Sequence, residues 1–211
     1  MHDHPVQITQ AQVTTLASQW PSLQALYLAC EPVSLTTPST LTLHALLPFA
    51  HHCPDLTELG LFVDASSVAD LPDSFSSEPS LVSRTRSEAG DIVQFKTLST
   101  LCMGVSDIRD EGSVALFLSH ICSLGVEMEW GVSWDDDIGK WSSETAVADN
   151  LISEISERCT KWAAVDQMLP ALTRLRMKER ERCRALEERI EELETLNRIL
   201  MEKGMMVDGC G

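Results

Sequence analysis

Sliding the sequence against itself by 33 residues brings two stretches into agreement, and this repeat limits the possible folds more than any other feature. Ile8-Thr9 falls on Leu41-Thr42, Val13 on Leu46, Leu16 on Phe49 and Ala17 on Ala50. Trp20-Pro21 falls on Cys53-Pro54, and Leu23, Leu26 and Leu28 fall on Leu56, Leu59 and Leu61. Each unit reads as a capped apolar helix, a proline stop and a strand. Thr9 and Thr42 suit helix N-termini, where a side-chain oxygen accepts from an unpaired backbone N–H. Pro21 and Pro54 disfavour helix in the residue before them and open an extended run. Alternation sends the strand leucines to one face. Pro48 falls inside the second helical stretch, where it either kinks the helix or marks its first turn.

A third strand is expected at Leu98-x-x-Leu101-x-Met103, followed by Val114, Phe117, Leu118 and Ile121 at helical spacing. A weaker fourth runs through Leu124, Val126, Met128 and Trp130. The strand anchors lie 33, 42 and 26 residues apart. This spacing and the L-x-x-L-x-L core are the signature of leucine-rich repeats carrying insertions. The fold class is therefore α/β: a short irregular leucine-rich-repeat solenoid of parallel strands with covering helices, followed by a long C-terminal helix. The solenoid is expected over residues 1–142, with an insertion loop at about 64–91 that is rich in Ser, Pro and acid. That loop reads as a mobile surface insertion, or else as a phosphorylatable regulatory segment or a ligand-contacting loop, with Arg84 and Arg86 its only bases. The first repeat lacks a cap, which leaves an apolar edge bare.

Charge marks the next boundary. Residues 1–168 carry 23 acidic and 7 basic side chains, whereas 169–203 carry 8 and 9. Before that boundary, Val147, Leu151, Ile155, Cys159, Trp162 and Val165 form an amphipathic stripe, with Ser142 and Ser143 as caps ahead of Glu144. Residues 143–168 are thus expected to be a helix that closes the solenoid, with Pro170 interrupting or restarting it. Residues 169–203 form a charged helix with short coiled-coil character, and 204–211 a disordered tail. Leu186, Leu193 and Leu200 fall at d of a heptad, with Cys183, Ile190 and Asn197 at a. Arg182 and Arg189 at g face Glu187 and Glu194 at e of a parallel partner, which allows a homodimer through this helix. Arg176 and Glu179 occupy a and d one heptad earlier and limit the seam. The alternative is a single solvated helix with i,i+4 charge pairs.

A net charge of −16 argues against a nucleic-acid surface. The basic run Arg174, Arg176, Lys178, Arg180, Arg182, Arg184 precedes the leucines as in a bZIP protein. Glu179 and Glu181 interrupt it, and it holds no Asn to read a base edge. No apolar stretch reaches the length of a membrane span. Seven dispersed cysteines without C-x-x-C suggest reduced thiols and an intracellular chain, cytoplasmic or nuclear. Nucleophile-elbow, P-loop, dinucleotide and zincin motifs are absent, so no enzyme activity and no cofactor are expected. His51-His52-Cys53 lies at a helix end and reads as structural, and His2 and His4 sit in the terminus. Ser133, Asp135, Asp137 and Glu144 share the spacing of a calcium loop, but Ile138 stands where its glycine belongs. Trp130, Trp134 and Trp141 are expected to pack the final strand on the C-terminal helix, or else to anchor a partner. Ligand contacts are expected from the variable strand positions Gln24, Tyr27, Thr57, Glu58, Thr100 and Cys102.

Trp20-Pro21-Ser22-Leu23-x-x-Leu26-x-Leu28, His52-Cys53-Pro54-Asp55-Leu56-x-x-Leu59-x-Leu61 and Val114-Ala115-Leu116-Phe117-Leu118-Ser119 together resemble the leucine-rich-repeat half of fungal F-box-like proteins. Trp162-x-x-Val165, Leu169-Pro170 and Arg176-x-x-Glu179 resemble that family's closing segment, so the likeness covers about residues 8–180. It implies a non-catalytic protein-binding module, the substrate-recognition part of a ubiquitin-ligase receptor, with a cullin-ligase adaptor as a further partner. In that family an F-box opening with Leu-Pro precedes the repeats. Here Leu47-Pro48, Leu71-Pro72 and Leu169-Pro170 lie inside other elements, and no residue is assigned to adaptor docking. The alternative is a structural or oligomeric protein driven by its C-terminal coiled coil.

Overall fold

Thr9 opens the first helix through a reciprocal cap. Its hydroxyl accepts from the Gln12 backbone N–H at 3.3 Å, and the Gln12 side-chain oxygen accepts from the Thr9 N–H at 2.8 Å. Residues 6–30, 35, 37–66, 93–132 and 146–207 are described by this computed structural model, with side chains to residue 201 and, in the last helix, from 152. The chain divides into two compact units, residues 1–173 and 174–211.

The first unit holds α1 (Gln10–Gln19), β1 (Ala25–Leu28), a 3-10 turn (Leu43–Ala45), α2 (Leu46–His52), β2 (Glu58–Leu61), β3 (Asp64–Ala65), β4 (Thr100–Gly104), β5 (Asp107–Ile108), α3 (Glu111–Ile121) and β6 (Glu127–Trp130). The helix α4 (Ala146–Val207) follows; its residues up to Thr173 belong to this unit. Thr42 makes no side-chain cap; its carbonyl instead accepts from the Ala45 N–H at 2.9 Å to start the 3-10 turn. Pro48 is the third residue of α2, where an N–H would have no intrahelical acceptor, so it interrupts nothing. Asp110 caps α3, its carboxylate accepting from the Gly112 and Ser113 N–H groups at 3.1 and 3.4 Å and from the Ser113 hydroxyl. The hydroxyl first, and then the two amides, hold its pKa below the usual Asp value. This stabilisation is present above the unfolded Asp pKa and is lost as pH falls through the lowered native one. Asp110→Ala is expected to cost about 1 kcal/mol in urea unfolding at neutral pH.

β1, β2, β4 and β6 form one parallel sheet in that order. Leu26 pairs with Leu59, Leu59 with Leu101 and Leu101 with Met128, so one inward row crosses all four strands. These side chains share a core with Val13 and Ala17 of α1, Leu46 and Phe49 of α2, and Phe117, Leu118 and Ile121 of α3. The helices therefore fill one side of the sheet. Leu26 and Leu28 on the edge strand, with Ile8, Leu16 and Leu23, are only partly buried, whereas Leu59, Leu61 and Leu101 are fully buried.

Several boundaries differ from the sequence expectation. Asp64–Ala65, placed in the insertion loop, is a strand that pairs with Asp107–Ile108. The remainder of that insertion, from residue 67, lies outside the described residues. Thr100 pairs with Glu127, an offset of 27 rather than 26. Met128 is still buried, but Leu124 falls in a turn before the strand and is exposed. Pro170 does not end α4; it is exposed on the helix, with Leu169 and Thr173 buried on the side facing the core. The helix therefore passes the expected boundaries at 168 and 203 and runs to Val207. Ser142, Ser143 and Glu144, and the side chains of Val147 and Leu151, lie outside the described residues.

Ile155, Trp162, Val165 and Leu169 form the buried stripe of α4. Three polar side chains fasten it to the turn after β4 and to β5. Arg158 donates to the Val105 carbonyl at 2.9 Å, buried Trp162 Nε1 to the Ser106 carbonyl at 2.9 Å, and Lys161 to the Ile108 carbonyl at 3.4 Å. Ser106 is itself fully buried. Its hydroxyl accepts from the Val63 N–H at 2.9 Å and donates to the Leu61 carbonyl at 3.2 Å, tying consecutive strand turns together. Ser106→Ala removes both bonds at a fully buried site and is expected to cost about 1–3 kcal/mol, measured by urea unfolding.

In the second unit, residues from Arg174 are helical to Val207, with Arg176–Glu179 and Arg189–Glu192 ion pairs along the surface. Among the described residues no helix is long and apolar enough to cross a membrane.

Candidate binding surface

Strand alternation sends the residues between the core leucines to the opposite face of the sheet. Two rows result. Ala25, Glu58, Thr100 and Glu127 form the first, and Tyr27, Gly60, Cys102 and Glu129 the second. Tyr27 is 47% exposed and its ring lies over Gly60, where an added Cβ would come within 2.4 Å of it. The Tyr27 hydroxyl donates to a Glu58 carboxylate oxygen at 3.0 Å. Partial burial, then this hydrogen bond, then the negative charges of Glu58 and Glu129, push its pKa up to about 12. Tyr27 is the only tyrosine, so an absorbance titration reads it alone. Its phenolate is expected to form near 12 rather than 10, and Glu58→Gln to bring the midpoint part of the way back.

Of the six residues proposed from sequence, Tyr27, Glu58 and Thr100 share this face, while Gln24 and Thr57 stand just before β1 and β2. Thr57 has a structural task. Its N–H and hydroxyl both donate to the Gln24 carbonyl, at 2.7 and 2.8 Å. Ser99 repeats the motif one strand later, its N–H and hydroxyl donating to the Thr57 carbonyl at 2.8 and 2.9 Å. The resulting ladder fixes the strand starts. Cys102 is a correction: it points outward yet is 4% exposed, with its thiol hydrogen-bonded to that of Cys30. That contact, followed by burial, pushes the Cys102 pKa well up, which suits packing rather than reactivity. Burial likewise raises Cys53, and takes Cys122 up to about 12.

Glu127 and Glu129 were not foreseen; both are exposed on this face, beside Thr100 and Cys102. Strand alternation through Val126, Met128 and Trp130 was the available signal. Trp130 pairs with Gly104 across the register shift at Cys102 and is 40% exposed. Trp134, Trp141 and the residues of the calcium-like spacing lie outside the described residues. Cys53 is buried with its thiol toward the Ala17 and Trp20 carbonyls, facing away from a ligand role with His51 and His52. Among the described residues no group of three His, Cys, Asp or Glu is placed to hold a metal. The face offers carboxylates, a phenol and a hydroxyl around an exposed aromatic ring, a polar and negatively charged set.

The seam residues Cys183, Leu186, Ile190, Leu193, Asn197 and Leu200 all lie in the second unit and are exposed there. Comparison with protein-family models, curated proteins and solved structures finds no match.

Proposed function

We propose that this chain is a non-catalytic protein-binding module of leucine-rich-repeat type, a short irregular solenoid whose outward sheet face recognises a protein partner. The observation that carries this reading is the outward face itself. Tyr27, Glu58, Thr100, Glu127 and Glu129 are at least partly exposed there, while the helices pack the other side. A set of side chains held at fixed strand spacing is what recognition of a protein surface needs. Resemblance to the repeat half of F-box-like proteins supports a role as the substrate-recognition part of a ubiquitin-ligase receptor, with the transfer chemistry on other subunits.

The test is co-purification of the tagged full chain from its native extract, beside a Glu58→Arg/Glu129→Arg variant and a chain lacking residues 181–211. The reading expects a specific protein that survives the truncation and is lost with the double reversal at unchanged melting temperature. Co-recovery of a cullin adaptor supports the ligase role. A partner indifferent to the reversal contradicts the outward face as the site.

A further inference from the structure

We propose that the C-terminal helix pairs with that of a second copy of this chain as a parallel, in-register two-stranded coiled coil, with Cys183 of each copy meeting at its first a position. The inference concerns the second unit and stands apart from the binding face. Leu186, Ile190, Leu193 and Leu200 are 50–59% exposed along one stripe. Such a stripe on a helix is satisfied by another helix bearing the same repeat.

The flanking charges choose the partner and its direction. In a parallel pair each g residue meets the e residue five positions on in the other chain. Arg182 then faces Glu187 and Arg189 faces Glu194 of the second copy. At the third heptad the g and e positions are Leu196 and Met201, both exposed apolar side chains, so this pair matches as well. An antiparallel pair that overlaps all six core positions would instead set g against g and e against e, opposing Glu187 to Glu194 and Arg189 to apolar Leu196. The self-complementarity therefore holds at all three heptads in one orientation only. The Arg189–Glu192 contact within one helix, at 2.8 Å, is between exposed side chains and exchanges at little cost. Asn197 at a fixes the register, since a one-heptad slip places it against an apolar residue. Arg176 and Glu179, ion-paired within their own helix at 3.2 Å, end the seam upstream. From Cys183 to Leu200 the seam spans roughly 27 Å at the helical rise, so the dimer is dependent on concentration.

The test uses the full chain with Cys210→Ser, which leaves Cys183 as the exposed thiol among the described cysteines. Sedimentation equilibrium is expected to show a monomer passing to a dimer as concentration rises. Arg182→Glu/Arg189→Glu should weaken association at least about tenfold. Adding Glu187→Arg/Glu194→Arg should restore it. Oxidised glutathione should yield a covalent dimer through Cys183. The two thiols lose two electrons and two protons to the glutathione disulfide, which is released as two glutathione thiols. Cys183→Ser should remove that product. A chain that stays monomeric overturns the proposal. A dimer that ignores the charge reversals, or that forms no Cys183 disulfide, overturns the parallel in-register arrangement.

Discussion

Trp162→Ala is expected to lower the stability of the first unit by about 3–5 kcal/mol. The indole is fully buried in the core that the sheet and helices share, so truncation opens a cavity larger than any other α4 residue would leave. Its Nε1 also donates to the Ser106 carbonyl at 2.9 Å, and the Ser106 hydroxyl bonds the backbone at Leu61 and Val63. Losing the indole thus leaves a carbonyl unpaired in the turn that holds successive strands together. Trp162→Phe keeps most of the ring volume and removes only the donor, so its cost should fall to about 1–3 kcal/mol. Urea unfolding followed by far-UV circular dichroism separates the two. A loss below about 1 kcal/mol for Trp162→Ala would mean that α4 does not complete this core.

Gly104→Ala is expected to cost about 2–4 kcal/mol, a large effect for one methyl group. Gly104 ends β4 at φ +50°, in the left-handed region that other residues rarely adopt. An added Cβ would lie 1.9 Å from the Cys30 carbonyl oxygen and 2.7 Å from its carbon, an overlap with backbone that no side-chain rotation relieves. The same neighbourhood carries the Val105 N–H bond to Cys30 at 3.3 Å and the Gly131 N–H bond to Gly104 at 2.9 Å. Gly125→Ala is the control. Gly125 has φ +91° with nothing within 4 Å of an added Cβ, so only conformational strain applies, about 1–2 kcal/mol. Equal losses at the two sites would show that the approach to Cys30 is not tight.

The repeat offset made the first half of the sheet legible. Leu26 pairs with Leu59 because both must face the core, and an offset of 33 does this for every residue of β1 and β2. The fourth strand was a residue out because Leu124 and Val126 imitate a strand start, while the backbone turns at Leu124-Gly125 before extending. The outward face could be found by alternation, which placed Tyr27, Glu58 and Thr100 together. Burial of Cys102 could not, because it depends on Cys30, a residue seventy-two positions away that no local pattern connects to it. The attachment of α4 was half readable. Ile155, Trp162 and Val165 announce an apolar stripe, but Arg158, Lys161 and Trp162 are directed to backbone carbonyls, and carbonyls leave no mark in a sequence. Pro170 misled for a physical reason too. Exposed between buried Leu169 and Thr173, it is carried through by packing that its own propensity opposes.

The most direct test of the binding face is carboxyl footprinting of the full chain, free and in complex with the partner recovered from extract. Labelling of Glu58, Glu127 and Glu129 should fall on binding, while Glu154 and Glu157 on α4 stay as reactive as in the free chain. Protection confined to α4, with the three sheet carboxylates unchanged, would contradict recognition by the outward face.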